Sequence, residues 1–289
     1  MTKSAVCRAD VIGWMHGVAA VAMLILACLA APAASAAGAL SAQALDGPPV
    51  SHCLAIADAR PPFRLAATGN TLSPHDVSIT FVGHSTFLIE SAAGVTIATD
   101  YNGYAGGTIP RVVTMNHAHS SHYTHLPDPA IEHVLRGWAT GEGPARYHLQ
   151  VDDVLIRNVT TDIRAGGQTM EADGNSIFIF EVAGLCIGHL GHLHHRLTDD
   201  HYARIGRIDV LMVPVDGSYT MGSEGMLEVA RRLRSSIILP MHYFGQISFN
   251  RFLADMGREV RVEVNAGPSF VLSLNALPER PKILVLPGY

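Results

Sequence analysis

Cysteine is scarce in this 289-residue chain: there are four, and two of them, Cys7 and Cys28, fall in an apolar N-terminal stretch. No C-x-x-C pair occurs, which excludes a thiolate zinc cluster. Basic blocks are absent too. The formal charge is −5, and loss of a leader carrying Lys3, Arg8 and Asp10 brings it to about −6. No Lys/Arg-rich run follows to meet a phosphate backbone, so nucleic-acid binding is excluded. Beyond the leader no apolar stretch reaches the roughly 20 residues of a membrane span, and no repeat of solenoid period appears. What remains, about 250 residues, is enough for one large α/β domain with a sizeable core.

The leader has its own anatomy. Lys3 and Arg8 precede the apolar run Val18 to Leu29, and APAASAAGA follows with A-S-A and S-A-A triplets. That order is the order of a secretory signal peptide cut near Ala36 or Ala37, so the expected protein is periplasmic or secreted. The alternatives are an uncleaved anchor and a lipid on Cys28, where Ile25-Leu26-Ala27-Cys28 resembles a lipoprotein box with a bulky Leu26. The expected layout is a signal peptide over 1–37, a lead-in segment over 38–71 and one domain over 72–289. Export permits a bridge between Cys53 and Cys186, while Cys186 in the apolar run GLCIG reads as a small buried hydrophobe.

Strand-like runs begin at Asp76 to Val82, Thr86 to Glu90 and Val95 to Thr99, and continue at Val112 to Met115, Ile131 to Leu135 and Val154 to Val159. Ser176 to Val182 and Leu185 to Leu190 are joined at Ala183-Gly184. The texture then alternates: a short helix capped by Thr198, a buried strand Ile208 to Val215, a helix Ser223 to Arg234, a strand Ser236 to Met241 and a helix Ser248 to Met256. A strand-rich half followed by β-α-β-α predicts two mixed sheets packed face to face with helices outside.

Histidine is where the chemistry concentrates. The run Arg111 to Met115 ends at MNHAHSSHYTH, which places His117, His119 and His122 in an H-x-H-x-x-H array; GHLGHLHH over Gly188 to His195 and His242 in ILPMHY follow two further apolar runs. A lone loop histidine is ordinarily solvated. Imidazoles at three strand ends instead point to a zinc or similar divalent site, because neutral ring nitrogens suit such ions. His84 in GHS reads either as a further pocket residue or as a hydrogen-bonded strand-end histidine. Tyr219 and Tyr243 read as substrate-facing hydroxyls or as pocket-wall packing.

The ordered set GHSTFLIE (Gly83 to Glu90), ATD (Ala98 to Asp100), HAHSSH (His117 to His122), GHLGHLHHRLT (Gly188 to Thr198), DVLMVPVDGSYT (Asp209 to Thr220) and ILPMHY (Ile238 to Tyr243) resembles the metallo-β-lactamase superfamily, with its nearest look to the ascorbate-6-phosphate lactonase-like and phospholipase D-like hydrolases. The resemblance spans about Ser78 to Val262. It implies an αββα sandwich with one or two metals at the sheet edges and a metal-bound hydroxide as nucleophile. His117 and His119 match the first two ligands of one metal, His122 a ligand of the second and His242 the late ligand. Asp100 matches the carboxylate that orients a ligating imidazole. Ser121 stands where the motif usually has Asp, as does His189, while His192 fills a usual His position. Asp216 stands where Gly is commoner, and no third histidine appears in VTTDIRAGG.

Two dications without these carboxylates repel each other poorly screened. The expected centre is therefore one zinc or other divalent ion, held by His117, His119, His192 and His242 or His122 with one position open to water. Ser121 and Asp100 support it, and Asp216 or Asp162 is the candidate base unless these are turn residues. The expected activity is hydrolysis of an ester, lactone or phosphodiester in a small molecule. The alternative is a degenerate scaffold that binds metal or a small ligand without turnover.

Overall fold

The computed structural model describes residues 49–54, 72–164 and 170–288. The expected signal peptide and residues 38–48 and 55–71 of the lead-in lie outside the described residues. The first half is built from β1 (Asp76–Gly83), β2 (Thr86–Ser91), β3 (Thr96–Ala98), β4 (Val112–Met115), β5 (His133–Arg136), β6 (His148–Val151), β7 (Val154–Arg164), β8 (Met170–Val182) and β9 (Leu185–His189). Alternation follows with α1 (Asp199–Ile205), β10 (Val210–Pro214), α2 (Ser223–Leu233), β11 (Ile237–Met241) and α3 (Gln246–Met256), and three strands close the chain: β12 (Arg261–Val264), β13 (Ser269–Ser273) and β14 (Lys282–Val285).

These strands form a six-stranded sheet in the order β13-β1-β2-β3-β4-β5 and an eight-stranded sheet in the order β12-β14-β11-β10-β9-β8-β7-β6. Strand side chains alternate between faces, and β8 shows the consequence. Phe178 and Phe180 point into the core shared by the two sheets, with Ile79, Phe87, Ile97 and Met212. Ile177 and Ile179 point the other way, against Met226 and Val229 of α2 and Phe249 and Phe252 of α3. The two mixed sheets agree with expectation, but the flanking helices are distributed unequally. Among the described residues the helices pack on the eight-stranded sheet. The outer face around β4 is covered instead by Tyr101, Ala105 and Ile131 from loops, whose Gly-, Pro- and His-rich sequence lacks an apolar 3.6-residue period. Strands β6, β12, β13 and β14 were not foreseen; β12 and β13 are largely exposed, so their sequences carry little apolar signal.

Cys53 and Cys186 are joined in a disulfide, which corrects the reading of Cys186 as a simple hydrophobe. The bridge fastens residues 51–53 to β9, and a buried network completes the attachment. Glu181 accepts from Ser51 Oγ at 2.5 Å and from the His52 and Cys53 amides, and Arg157 Nε donates to it at 2.7 Å. The bridge closes a loop with a sequence separation of 133, so it removes much freedom from the unfolded chain. Cys186→Ala is expected to cost about 2–4 kcal/mol of unfolding free energy. Denaturant melts check this: reductant should lower the midpoint of the parent protein and leave that of the variant unmoved.

Candidate metal centre

Parallel strands bring their carboxyl ends to one edge of a sheet, where the residues that follow them meet. β3 runs parallel to β4, and β9 and β11 run parallel to β10. Asp100 therefore follows β3, His117 follows β4, His192 lies just beyond β9, Asp216 follows β10 and His242 follows β11. β1 is antiparallel to β2 and β2 to β3, so His84 at the end of β1 joins the same edge. The His242 amide donates to the His84 carbonyl at 2.7 Å and His189 Nε2 donates to the Ser85 carbonyl at 2.8 Å, tying the two sheets together there.

Two imidazoles are held by buried carboxylates. His122 Nδ1 donates to Asp100 Oδ2 at 2.5 Å, and His242 Nδ1 donates to Asp216 Oδ1 at 3.0 Å. Burial alone would raise the Asp100 carboxyl, but His122 holds it well below the usual carboxylate range; for Asp216, burial is likewise outweighed by His242, Thr220 and the turn amides. Both are thus ionised acceptors, which fixes the proton on Nδ1 and leaves each Nε2 with its lone pair. These two Nε2 atoms stand 3.1 Å apart. Two lone pairs that close repel unless a cation lies against both, and nitrogens bound to one tetrahedral zinc stand about 3.3 Å apart. The donor set fits a divalent ion.

His84, Asp100 and His242 all have positive φ, at 51°, 49° and 55°. Such backbone is uncommon outside glycine and collects at functional sites. Burial, then His242 and His122, push the His84 ring down to about 4, and burial with the neighbouring histidines takes His192 down to about 2. These rings stay neutral at working pH, as ligands must.

The expected ligands divide. His122 and His242, with His84, have donor atoms all within 4.8 Å of one another. His117, His119 and His192 form a parallel group beside them, with His117 and His192 centroids 5.4 Å apart and His119 6.4 Å from each. His117 Nδ1 donates to the Gly174 carbonyl at 2.8 Å, and His119 Nδ1 meets Ser121 Oγ at 2.9 Å. His192 reaches both groups, 4.5 Å from His122 and 5.0 Å from His242 by centroid. The array is therefore wider than the single three- or four-imidazole set expected.

Asp216 is not a free base. Its oxygens accept from the Ser218, Tyr219 and Thr220 amides, from Thr220 Oγ1 at 2.6 Å and from His242, so it is at once a turn residue and the anchor of His242. Asp162 accepts from the Asp173 amide at 2.9 Å beside a bulge between β7 and β8. His189 is committed as well: its Nδ1 accepts from the Gly191 amide at 3.0 Å and faces Asn116, so this buried ring braces the sheets rather than offering a ligand. Tyr243 packs on Phe249, whereas Tyr219 is exposed and meets Phe244, itself 5.2 Å from His84 and 5.3 Å from His242.

A model of the beta-lactamase superfamily domain matches residues 78–242, a span that runs from β1 through His242. A Thermotoga maritima protein whose crystal structure is assigned as a candidate zinc-dependent hydrolase of the metallo-β-lactamase superfamily is 31% identical, over 73% of this chain and 98% of that one, with a TM-score of 0.52. The chain belongs to the metallo-β-lactamase superfamily. Relatives named UPF0173 metal-dependent hydrolases are 27% identical in Thermoplasma volcanium and 25% in Pelotomaculum thermopropionicum, each over 58% of this chain and 84% of the relative.

Within this superfamily domain, two asparagines outside the histidine motifs also shape the site. Asn116 Nδ2 donates to the Ser176 carbonyl at 2.8 Å, and Asn175 Oδ1 accepts from the His192 amide at 2.7 Å. A buried Asn beside an otherwise apolar run was the available signal. Gly191, at φ 62°, leaves them room: a Cβ there would lie 2.5 Å from both side-chain amides.

Proposed function

We propose that this chain is an exported metal-dependent hydrolase of small esters, lactones or phosphodiesters, with a divalent ion held at the paired imidazoles of His122 and His242. The observation that carries the reading is that pair itself: two buried rings, each with Nδ1 bound to a buried carboxylate and with Nε2 atoms 3.1 Å apart. A divalent ion at such donors supplies Lewis acidity and lowers the pKa of coordinated water toward neutrality.

The chain's own groups do the rest. Asp100 and Asp216 set the tautomer and direction of the two rings. The positive-φ turns at His84 and His242 present those two rings from separate sheets. Phe244 walls one side of the centre, and the exposed Tyr219 ring meets Phe244 edge-on. A cavity of about 370 Å³ is lined by Asp216, Gly217, Ile247 and Arg251, on the side of His242 where its Nδ1 meets Asp216. Export is supported by the leader's composition and by the disulfide, which persists in an oxidising compartment.

Zinc-loaded protein, assayed on a panel of phosphodiester, lactone and β-lactam substrates, is expected to turn over at least one, and chelator should abolish that turnover. Stoichiometric metal with no turnover across the panel would transfer the reading to a binding scaffold.

A further inference from the structure

Resting on that reading, we propose that His84 is the third donor to the ion held by His122 and His242, which makes the centre an all-imidazole site selective for nitrogen-preferring divalent metals such as zinc and cobalt over manganese and magnesium. A pair of imidazoles alone does not hold a divalent ion tightly, so a third group must be within reach. The carboxylates of Asp100 and Asp216 are taken up by the Nδ1 atoms of the two rings, and Ser121 Oγ is engaged with His119 Nδ1 at 2.9 Å. His192 lies near both rings by centroid, but among the described residues it is His84 whose donor lies within 4.8 Å of both partners.

Its environment is that of a ligand rather than of a packed surface ring. The His84 ring lies 4.3 Å by centroid from His242 and 5.5 Å from His122. Its Nε2 is buried and meets no hydrogen-bond partner among the described residues; an orphaned polar atom of that kind costs about 1–3 kcal/mol unless something else binds there. The left-handed backbone at φ 51° is a further cost, and it is retained because the His242 amide closes on the His84 carbonyl at 2.7 Å. That bond ties the turn after β1, in one sheet, to the end of β11, in the other, so the third ring is placed by the same contact that joins the sheets. With three neutral imidazoles and no carboxylate among the donors, ligand type favours borderline ions, whereas manganese and magnesium favour oxygen.

The test uses His84→Asn and His84→Asp, since both side chains tolerate positive φ. Dissociation constants for zinc and manganese are measured by chelator competition on the full protein, with the visible spectrum of the cobalt-loaded form alongside and a thermal melt to confirm folding. The parent protein is expected to prefer zinc over manganese strongly. His84→Asn should weaken zinc by more than the roughly 10- to 100-fold that follows loss of an orienting partner, and should shift the cobalt bands. His84→Asp, which restores a donor but a hard one, should recover part of the zinc affinity and narrow the preference over manganese about 10-fold or more. If His84→Asn holds zinc as tightly as the parent with unchanged cobalt bands, or if the parent binds manganese as well as zinc, this inference is overturned while the hydrolase reading stands. If the parent binds no metal, the hydrolase reading falls with it.

Discussion

Replacing His242 with alanine is expected to empty the centre of tightly bound metal and to reduce metal-dependent hydrolysis to background. His242 is one half of the 3.1 Å Nε2 pair, and no other described residue presents a ring nitrogen from the end of β11. The loss should exceed that of Asp100→Asn, which keeps His122 in place but weakens the hold on its tautomer; there the affinity is expected to fall roughly 10- to 100-fold. His201→Ala is the contrast. Its ring closes the capping box with Thr198 at the start of α1, far in role from the metal, so metal content should be unchanged while α1 loses about 1 kcal/mol of capping. Elemental analysis of the three purified variants decides the matter, and full metal retention by His242→Ala would remove the site assignment.

The second large effect concerns stability. Arg157 is buried, and its guanidinium is shared between Glu181 Oε1 at 2.7 Å, the Arg204 carbonyl at 2.7 Å and the Ile205 carbonyl at 2.5 Å. One side chain thus pairs the carboxylate that fastens residues 51–53 and satisfies two carbonyls at the end of α1. Burial pushes the guanidinium below its ordinary value and Glu181 opposes it. Arg157→Met is therefore expected to cost about 3–5 kcal/mol, because it leaves a buried carboxylate without its counter-charge. Arg157→Met with Glu181→Leu should cost clearly less than the sum of the two single changes, as a buried pair replaced whole sheds its desolvation penalty. Urea denaturation of the four proteins gives the cycle, and additive losses would show that the two groups act independently.

Parts of this fold are legible in the sequence. The β8–β9 hairpin at Ala183-Gly184, the Thr198 cap and the strand-helix alternation after β9 follow local rules of period and turn chemistry, and they appear near where those rules place them. Strands β12 and β13 were illegible because exposed strands lack apolar alternation, whereas β14 is a short buried run. His189 and His192 stand three residues apart in one motif, yet one braces the sheets and the other faces the imidazole cluster. The split comes from Gly191, whose left-handed backbone turns the chain between them, and from Asn116 and Asn175, which arrive from β4 and β8.

What residues alone determined is the inventory: a strand-rich sandwich, imidazoles at the ends of several strands, and few carboxylates among the metal-motif positions. The first two follow from periodicity and composition, which are properties of neighbours along the chain, and the third from the resemblance of the motifs. Which imidazoles share an ion is a matter of Å-scale distance between residues as far apart in sequence as His84, His122 and His242, and of which oxygen faces each Nδ1. Parallel strand pairing and the contact between the two sheets set those distances, so it took the packed fold to bring His84 within reach of His122 and His242, to commit Asp216 to His242, and to close Cys53 on Cys186.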